Sequence, residues 1–107
     1  MAISEFRYNR KRKHYSYIFG QKGDNRKNIL LTSKPVRKKK QKDGTYREYK
    51  NVKLYQHPNP NKKGITQYVI PKVEVDHHEV FNKKLDGWKF HPYDKRNIKK
   101  IKKGKYK

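Results

Sequence analysis

The 107-residue sequence has no cysteine, one tryptophan and only nine acidic residues. The absence of cysteine excludes disulfides, thiolate zinc sites and cysteine nucleophiles. No apolar run approaches the roughly 18 residues of a membrane-spanning helix, and no signal-peptide pattern is evident. We therefore expect a protein without membrane contact, located in the cytoplasm. Because only 31% of the residues are hydrophobic, the length predicts one domain with a small core.

Basic residues dominate instead. Thirty-one Lys and Arg give a formal net charge of +22, and nine residues are tyrosine. Charge of this density opposes compaction, and a polyanionic partner would relieve it. The aromatic content indicates that part of the chain folds, and its rings are suited to stacking on bases. Composition therefore favours a nucleic-acid partner, RNA or DNA, and we expect RNA in preference to DNA.

The charge is segregated along the chain. Residues 51–94 hold seven basic and five acidic residues, and the other positions hold twenty-four and four. Three blocks carry most of the excess, at residues 7–13, 34–42 and 95–107. Charge arranged in this way is typical of appendages around a nearly neutral centre. We expect a flexible basic N-terminal arm over 1–12, a single domain over 13–103 with a basic loop at 34–44, and a basic tail over 104–107.

The apolar pattern predicts an α+β fold, with a small antiparallel sheet that opens on a β-hairpin. Residues 15–19 alternate with the period of a strand, a Gly-rich turn follows, and residues 28–33 form the second strand. The strongest strand signal lies at 65–75, where Pro71 requires a sheet edge or a bulge. A short helix is expected over 76–85. A basic C-terminal helix is expected over 95–103, with Asp94 as its N-cap.

The predicted nucleic-acid contacts come from the basic blocks and from a tyrosine-bearing sheet face. Lysine and arginine would neutralise phosphates, and exposed rings would stack on bases. The expected binding residues are Arg10, Lys11, Arg12, Lys13, Arg37, Lys38, Lys39, Lys40, Lys95, Arg96, Lys99, Lys100, Lys102, Lys103, Tyr15 and Tyr17.

A small, metal-independent endoribonuclease of the toxin type is the alternative. Such an enzyme needs a base for the ribose 2′-hydroxyl, an acid for the leaving oxygen and cations for the transition state. His14, beside Arg12 and Lys13, is the candidate base, with Thr32 or Ser33 across the hairpin. Arg47 and Tyr68 complete the candidate catalytic set. No metal site and no cofactor are expected, since neighbouring residues of "DHHE" should point apart on a regular element.

Three segments carry a resemblance to a known family: "KHYSYIFG...NILLTS", "KLYQHPNPNKKGITQYVIPKVEVD" and "W.F...D...I..I.K". Together they resemble small basic proteins of phages and mobile elements of low-GC bacteria. In outline they also resemble the barnase–EndoU–colicin–RelE-like ribonuclease superfamily. The resemblance implies an RNA-cleaving or RNA-binding module, in which His14 and Thr32 match the early histidine and hydroxyl positions. The chain lacks that superfamily's helical N-terminal half.

Two further interpretations stay open at this point. The chain could be a structural component of a ribonucleoprotein whose basic segments fold on RNA. It could also bind an acidic protein partner or inhibitor. The oligomeric state does not follow from the sequence.

Overall fold

The computed structural model describes residues 2–62 and 64–105, which form seven strands, one 3-10 turn and one α-helix. The strands are β1 (Ala2–Asn9), β2 (His14–Lys22), β3 (Asn25–Thr32), β4 (Val36–Lys40), β5 (Tyr46–Lys50), β6 (Val52–Lys53) and β7 (Tyr68–His77). The 3-10 turn is His78–Val80, and helix α1 is Pro92–Lys102. Within these described ranges, no helix is long and apolar enough to cross a membrane.

The strands form a five-stranded antiparallel sheet in the order β1-β2-β3-β7-β6, and β4 and β5 pair in a separate ribbon. The predicted α+β class and the early hairpin are confirmed. In that hairpin, Lys22 pairs with Asn25 across a two-residue loop, where Gly23 takes a φ of 58°. Glycine adopts this left-handed conformation without the steric cost of a Cβ atom.

Helix α1 covers one face of the sheet. The strands contribute Phe6, Tyr17, Ile29, Leu31 and Val69 to the core, and the helix contributes Ile98 and Ile101. The two isoleucines are three residues apart, so they lie on the same side of the helix. The lysine-rich remainder of α1 stays exposed, as its composition requires.

The expectation for Pro71 is confirmed. Ile29 pairs with Val73, and Leu31 pairs with Val69, so three residues of β7 oppose one residue of β3. Pro71 is the central residue of this bulge. Strand β6 pairs only with Tyr68 and Val69, so the missing proline N–H interrupts no ladder.

The flexible N-terminal arm is a wrong prediction. Residues 2–9 form strand β1, whose Phe6 is buried in the core. Backbone hydrogen bonds from residues 80–85 cover the outer edge of β1, including Asn82 N to Tyr8 O at 2.9 Å and Leu85 N to Phe6 O at 2.8 Å. Glu5 and Arg7 interrupt the apolar positions of this strand, and the basic residues 10–13 follow it directly, so no clear strand pattern stands out in the sequence.

Three other boundaries also differ from expectation. The basic loop at 34–44 contains strand β4. The helix expected over 76–85 does not form. These residues are the end of β7, the 3-10 turn and the segment 81–85, which lies along the outer edge of β1. Helix α1 is capped by His91, whose Nδ1 accepts from Tyr93 N at 3.0 Å. The buried Asp94 instead accepts a hydrogen bond from Tyr55 N at 2.7 Å, which ties the loop after β6 to the helix.

Two residues of the expected basic tail, 106 and 107, lie outside the described residues.

Candidate nucleic-acid interface

Two open clefts meet at Trp88, the one tryptophan of the chain. The first, here called the helix cleft, has a volume of about 500 Å³ and lies between Trp88 and helix α1. The second, the hairpin cleft, has a volume of about 410 Å³ and lies between Trp88 and the start of β2. Because both are lined by the half-buried Trp88, we treat them as one surface and call it the Trp88 groove.

Aromatic rings line the groove in contact with one another. The Tyr15 ring lies 5.1 Å from that of Trp88, at an interplanar angle of 35°. Tyr8 packs edge-on against Tyr15 at 5.1 Å, and Phe6 lies 5.8 Å from Trp88. Tyr15 remains 44% exposed, so a face or edge of its ring is open to a ligand. Such rings are the usual stacking partners of unpaired bases.

The charge on the groove has one sign. Four lysines line the helix cleft and three line the hairpin cleft, and no carboxylate from the described residues lines either one. They are Lys89, Lys95, Lys99, Lys102, Lys13, Lys34 and Lys62. Seven ammonium groups around an aromatic wall form a local excess of positive potential, which favours an anionic ligand.

Two carboxylates, Glu74 and Asp76, lie on the sheet face opposite the core. Asp76 there is buried and accepts hydrogen bonds from Asn9, Asn28 and Arg12; the Arg12 Nε distance is 2.8 Å. Arg12 also pairs with Glu74. Burial raises the pKa of Asp76, but these hydrogen bonds and the charge of Arg12 outweigh it and lower the pKa to about 2. Asp76 is therefore a structural anion, ionised at neutral pH.

His57 is the buried imidazole of the hairpin cleft. Its Nδ1 accepts a hydrogen bond from Asn59 N at 2.9 Å, and its ring packs on Trp88 at 5.8 Å. Burial lowers the pKa of His57, and the charge of Lys62 lowers it further. The neutral ring with an accepting Nδ1 carries its hydrogen on Nε2. In this form His57 can donate a hydrogen bond from Nε2 and has no free lone pair with which to act as a base.

The candidate catalytic residues separate into two groups. His14 and Thr32 both line the hairpin cleft, together with Ser33. Arg47 and Tyr68 do not line the groove: Arg47 lies on the β4–β5 ribbon, and Tyr68 sits in β7 opposite Thr32. Lys13, next to His14, has a φ of 58°, a strained conformation for a non-glycine residue. Such strain is frequent at binding sites.

The predicted nucleic-acid residues are also divided by the fold. Lys13, Tyr15, Lys95, Lys99 and Lys102 line the groove. Arg96 and Lys100 of α1, with the C-cap residue Lys103, are exposed and do not line it. Arg12 is held in the carboxylate cluster, and Arg10 donates to the carbonyl of Glu79. Lys11 is exposed but lies 3.6 Å from Asp76. The remaining four predicted residues, Arg37, Lys38, Lys39 and Lys40, belong to the β4–β5 ribbon.

Tyr17 is not an open stacking platform. It is 8% exposed, its hydroxyl bonds Ser4 Oγ at 3.0 Å, and its ring packs on Phe90 at 4.9 Å. Lys102 Nζ lies 5.5 Å from the ring centroid. Tyr17 therefore contributes to the wall of the helix cleft as a core residue.

Sequence reasoning missed the centre of the groove. Trp88, Lys34, His57 and Lys62 were not among the predicted site residues. These positions are distant in sequence and meet only because the loop after β6 folds against β3 and Trp88.

A second group of polar side chains lies on the 3-10 turn. The ligand atoms of His77, His78 and Glu79 lie within 4.8 Å of one another, so these neighbours do not point apart as expected. All three are exposed, and the two imidazole rings stack at 4.5 Å and 30°. His77 Nδ1 already accepts a hydrogen bond from Glu79 N at 3.2 Å, and exposed groups of this kind are common without an ion, so the cluster does not support a metal site.

Comparisons with protein-family models, curated proteins and solved structures find no match to this chain. The resemblance to the barnase–EndoU–colicin–RelE-like superfamily therefore stays a prediction. Functional inference rests on the groove itself.

Proposed function

We propose that this protein binds unpaired nucleic acid, RNA in preference to DNA, along the Trp88 groove. The observation that carries the proposal is the combination of two clefts joined at Trp88, seven lining lysines and no lining carboxylate among the described residues. Phosphates would be neutralised by the lysines, and bases would stack on Tyr15 and Trp88. Each cleft has a volume typical of small-molecule sites, enough for a nucleobase.

Polar groups of the hairpin cleft support the preference for RNA. The Nε2–H of His57 is a donor, and the hydroxyls of Thr32 and Ser33 can donate or accept. A ribose 2′-hydroxyl is itself both donor and acceptor, and it is the group that lets a protein distinguish RNA from DNA. The proposal therefore includes a contact that a deoxyribose strand cannot make.

The first experiment is a titration of labelled single-stranded RNA by fluorescence anisotropy at several salt concentrations. If all seven lysines contact phosphates, the slope of log K against log salt should approach about −5, because each single-strand contact contributes about −0.7. Trp88→Ala should weaken binding about 5- to 150-fold, the equivalent of about 1–3 kcal/mol for one stacked base.

Two variants control this experiment. Trp88→Phe keeps a ring against Phe6 and should retain most of the affinity. Tyr93→Ala removes a ring that is 70% exposed and lies outside both clefts, so it should bind as the wild type does. Circular dichroism would verify that each variant is folded. Equal affinity of Trp88→Ala and Tyr93→Ala would contradict the proposal.

A second candidate function, metal-independent RNA cleavage, is favoured by the presence of His14 and Thr32 in one cleft with three lysines. His14 would take the proton of the 2′-hydroxyl as its oxygen attacks phosphorus. The bond from phosphorus to the 5′-oxygen would break, leaving a cyclic phosphate, and an acid would protonate the departing oxygen. The lysines would stabilise the additional negative charge. His57, with Nδ1 already engaged, would act only as a donor.

End-labelled RNA incubated with EDTA tests this candidate. Cleavage by the wild type should disappear in His14→Ala and persist in His78→Ala, which removes an exposed imidazole outside the groove. A single 2′-deoxy substitution at the cleaved nucleotide should also abolish it. Intact RNA bound equally by wild type and His14→Ala would eliminate the enzyme and leave the binding function.

A further inference from the structure

The β4–β5 ribbon is exposed on both faces. Its strands pair over five positions, from Val36↔Lys50 to Lys40↔Tyr46. A turn closes it, with Gln41 N bonded to Thr45 O at 2.7 Å, and Arg37 joins its base to Asn51 Oδ1 at 2.6 Å. None of its residues is buried. An isolated two-stranded ribbon with no buried face is only marginally stable in water.

The two faces of the ribbon differ in charge. Cross-strand partners share a face, so one face presents the pairs Arg37–Tyr49 and Lys39–Arg47. We call this the Tyr49 face. The opposite face presents Lys38 paired with Glu48, with Tyr46 and two further lysines. Only the opposite face contains a carboxylate.

The Tyr49 face holds two like charges directly opposite each other and two arginines in contact with the Tyr49 ring. Lys39 and Arg47 lie directly opposite each other, and like charges in this position destabilise a strand pair. The guanidinium carbons of Arg37 and Arg47 lie 5.2 and 5.3 Å from the centroid of the Tyr49 ring. These cation–π contacts hold the arginines over the face. A polyanion on this face would remove the repulsion.

We propose that the Tyr49 face of the ribbon inserts into the major groove of duplex DNA. The major groove of B-form DNA, about 12 Å wide, admits a two-stranded β-ribbon. The deep, narrow major groove of A-form RNA does not admit side chains. Five paired residues extend about 17 Å, or roughly half a turn of the duplex. Arg47 and Lys39 are of the residue types that bind the O6 and N7 atoms of guanine. The ribbon is separate from the Trp88 groove, so this inference does not depend on the proposed function.

Two double variants of the full chain test the inference. Lys39→Gln with Arg47→Gln removes two cations from the Tyr49 face, and Lys38→Gln with Lys40→Gln removes two from the opposite face. Arg37 is retained because it holds the base of the ribbon. Anisotropy titrations would use a 20-base-pair DNA duplex containing guanine steps, an RNA duplex of the same sequence and a single-stranded RNA.

We expect the first double variant to lose at least about tenfold more affinity for the DNA duplex than the second. The two variants should bind the RNA duplex equally, and likewise the single strand. Equal losses on the DNA duplex, a larger difference on the RNA duplex, or no binding of the DNA duplex by the wild type would each overturn the inference. Trp88→Ala should bind the DNA duplex as the wild type does. Failure of the single-strand experiment would therefore count only against the groove.

Discussion

Arg12 and the lysines of the Trp88 groove are basic side chains in two contrasting electrostatic environments. Arg12 is held by Asp76 and Glu74, and the buried Asn9 and Asn28 complete its surroundings. The groove lysines line clefts to which no described carboxylate contributes. The difference shows that a net charge of +22 does not by itself define a binding surface. The surface arises where the fold keeps acidic groups away from basic ones.

The largest expected effect compares Arg12→Ala with Lys11→Ala. Both cations lie beside Asp76, but the Lys11 side chain is 61% exposed and that of Arg12 only 30%. Loss of Arg12 removes two hydrogen bonds to the buried carboxylate and leaves only the exposed Lys11 as a cation beside it, which should lower the free energy of unfolding by about 3–5 kcal/mol. Loss of Lys11 should cost less than about 1 kcal/mol. Urea unfolding measures both, and equal losses would contradict the structural role assigned to Arg12.

The second prediction uses the depressed pKa of Asp76. A carboxyl group with pKa 3.8 in the unfolded chain and about 2 in the folded protein stabilises the fold above pH 4. That contribution should disappear as the pH falls through 2, with a loss of about 2 kcal/mol between pH 5 and pH 2. Unfolding of wild type and Asp76→Asn across this range isolates the effect. Parallel pH profiles for the two proteins would show that Asp76 is not the group responsible.

The smallest effect distinguishes two sides of α1. Lys95, Lys99 and Lys102 line the helix cleft, whereas three exposed cations at the same spacing do not line it: Arg96, Lys100 and the C-cap residue Lys103. Replacing the first three by glutamine should weaken single-stranded RNA binding about tenfold more than replacing the second three. The salt slope should also fall by about 2 with the first set, because three phosphate contacts are lost. Equal changes for the two sets would mean that the helix acts only as a diffuse charge.

Parts of this fold could be predicted from sequence because their signals are local. The alternation of residues 15–19 and the apolar run at 28–33 predicted the hairpin, and Pro71 predicted a sheet edge or a bulge. Strand β1 could not be predicted, because its burial of Phe6 and the cover from residues 80–85 are long-range contacts. Long-range contacts also explain why the helix expected over 76–85 does not form. Asp76 is held in β7 by its hydrogen bonds to Asn28 and Arg12.

The candidate site likewise combines residues that local sequence identifies with residues that only long-range contacts bring together. His14, Thr32 and Tyr15 were identifiable as single residues with suitable chemistry beside a basic block. Their meeting with Lys34, His57, Lys62 and Trp88 depends on loops that join distant strands, and no local pattern encodes it.

The charge, the absence of thiol chemistry, the α+β class and the first hairpin could be read from the chain, since they follow from composition and from the two-residue period of a strand. Which cations remain available to a ligand depends on long-range packing. Arg12 and Lys13 are neighbours in the chain, yet Arg12 points to the buried Asp76 and Lys13 lines the cleft. Arg12 and Lys13 lie in the turn between β1 and β2, where the left-handed backbone of Lys13 separates the two side chains, and packing brings distant residues together.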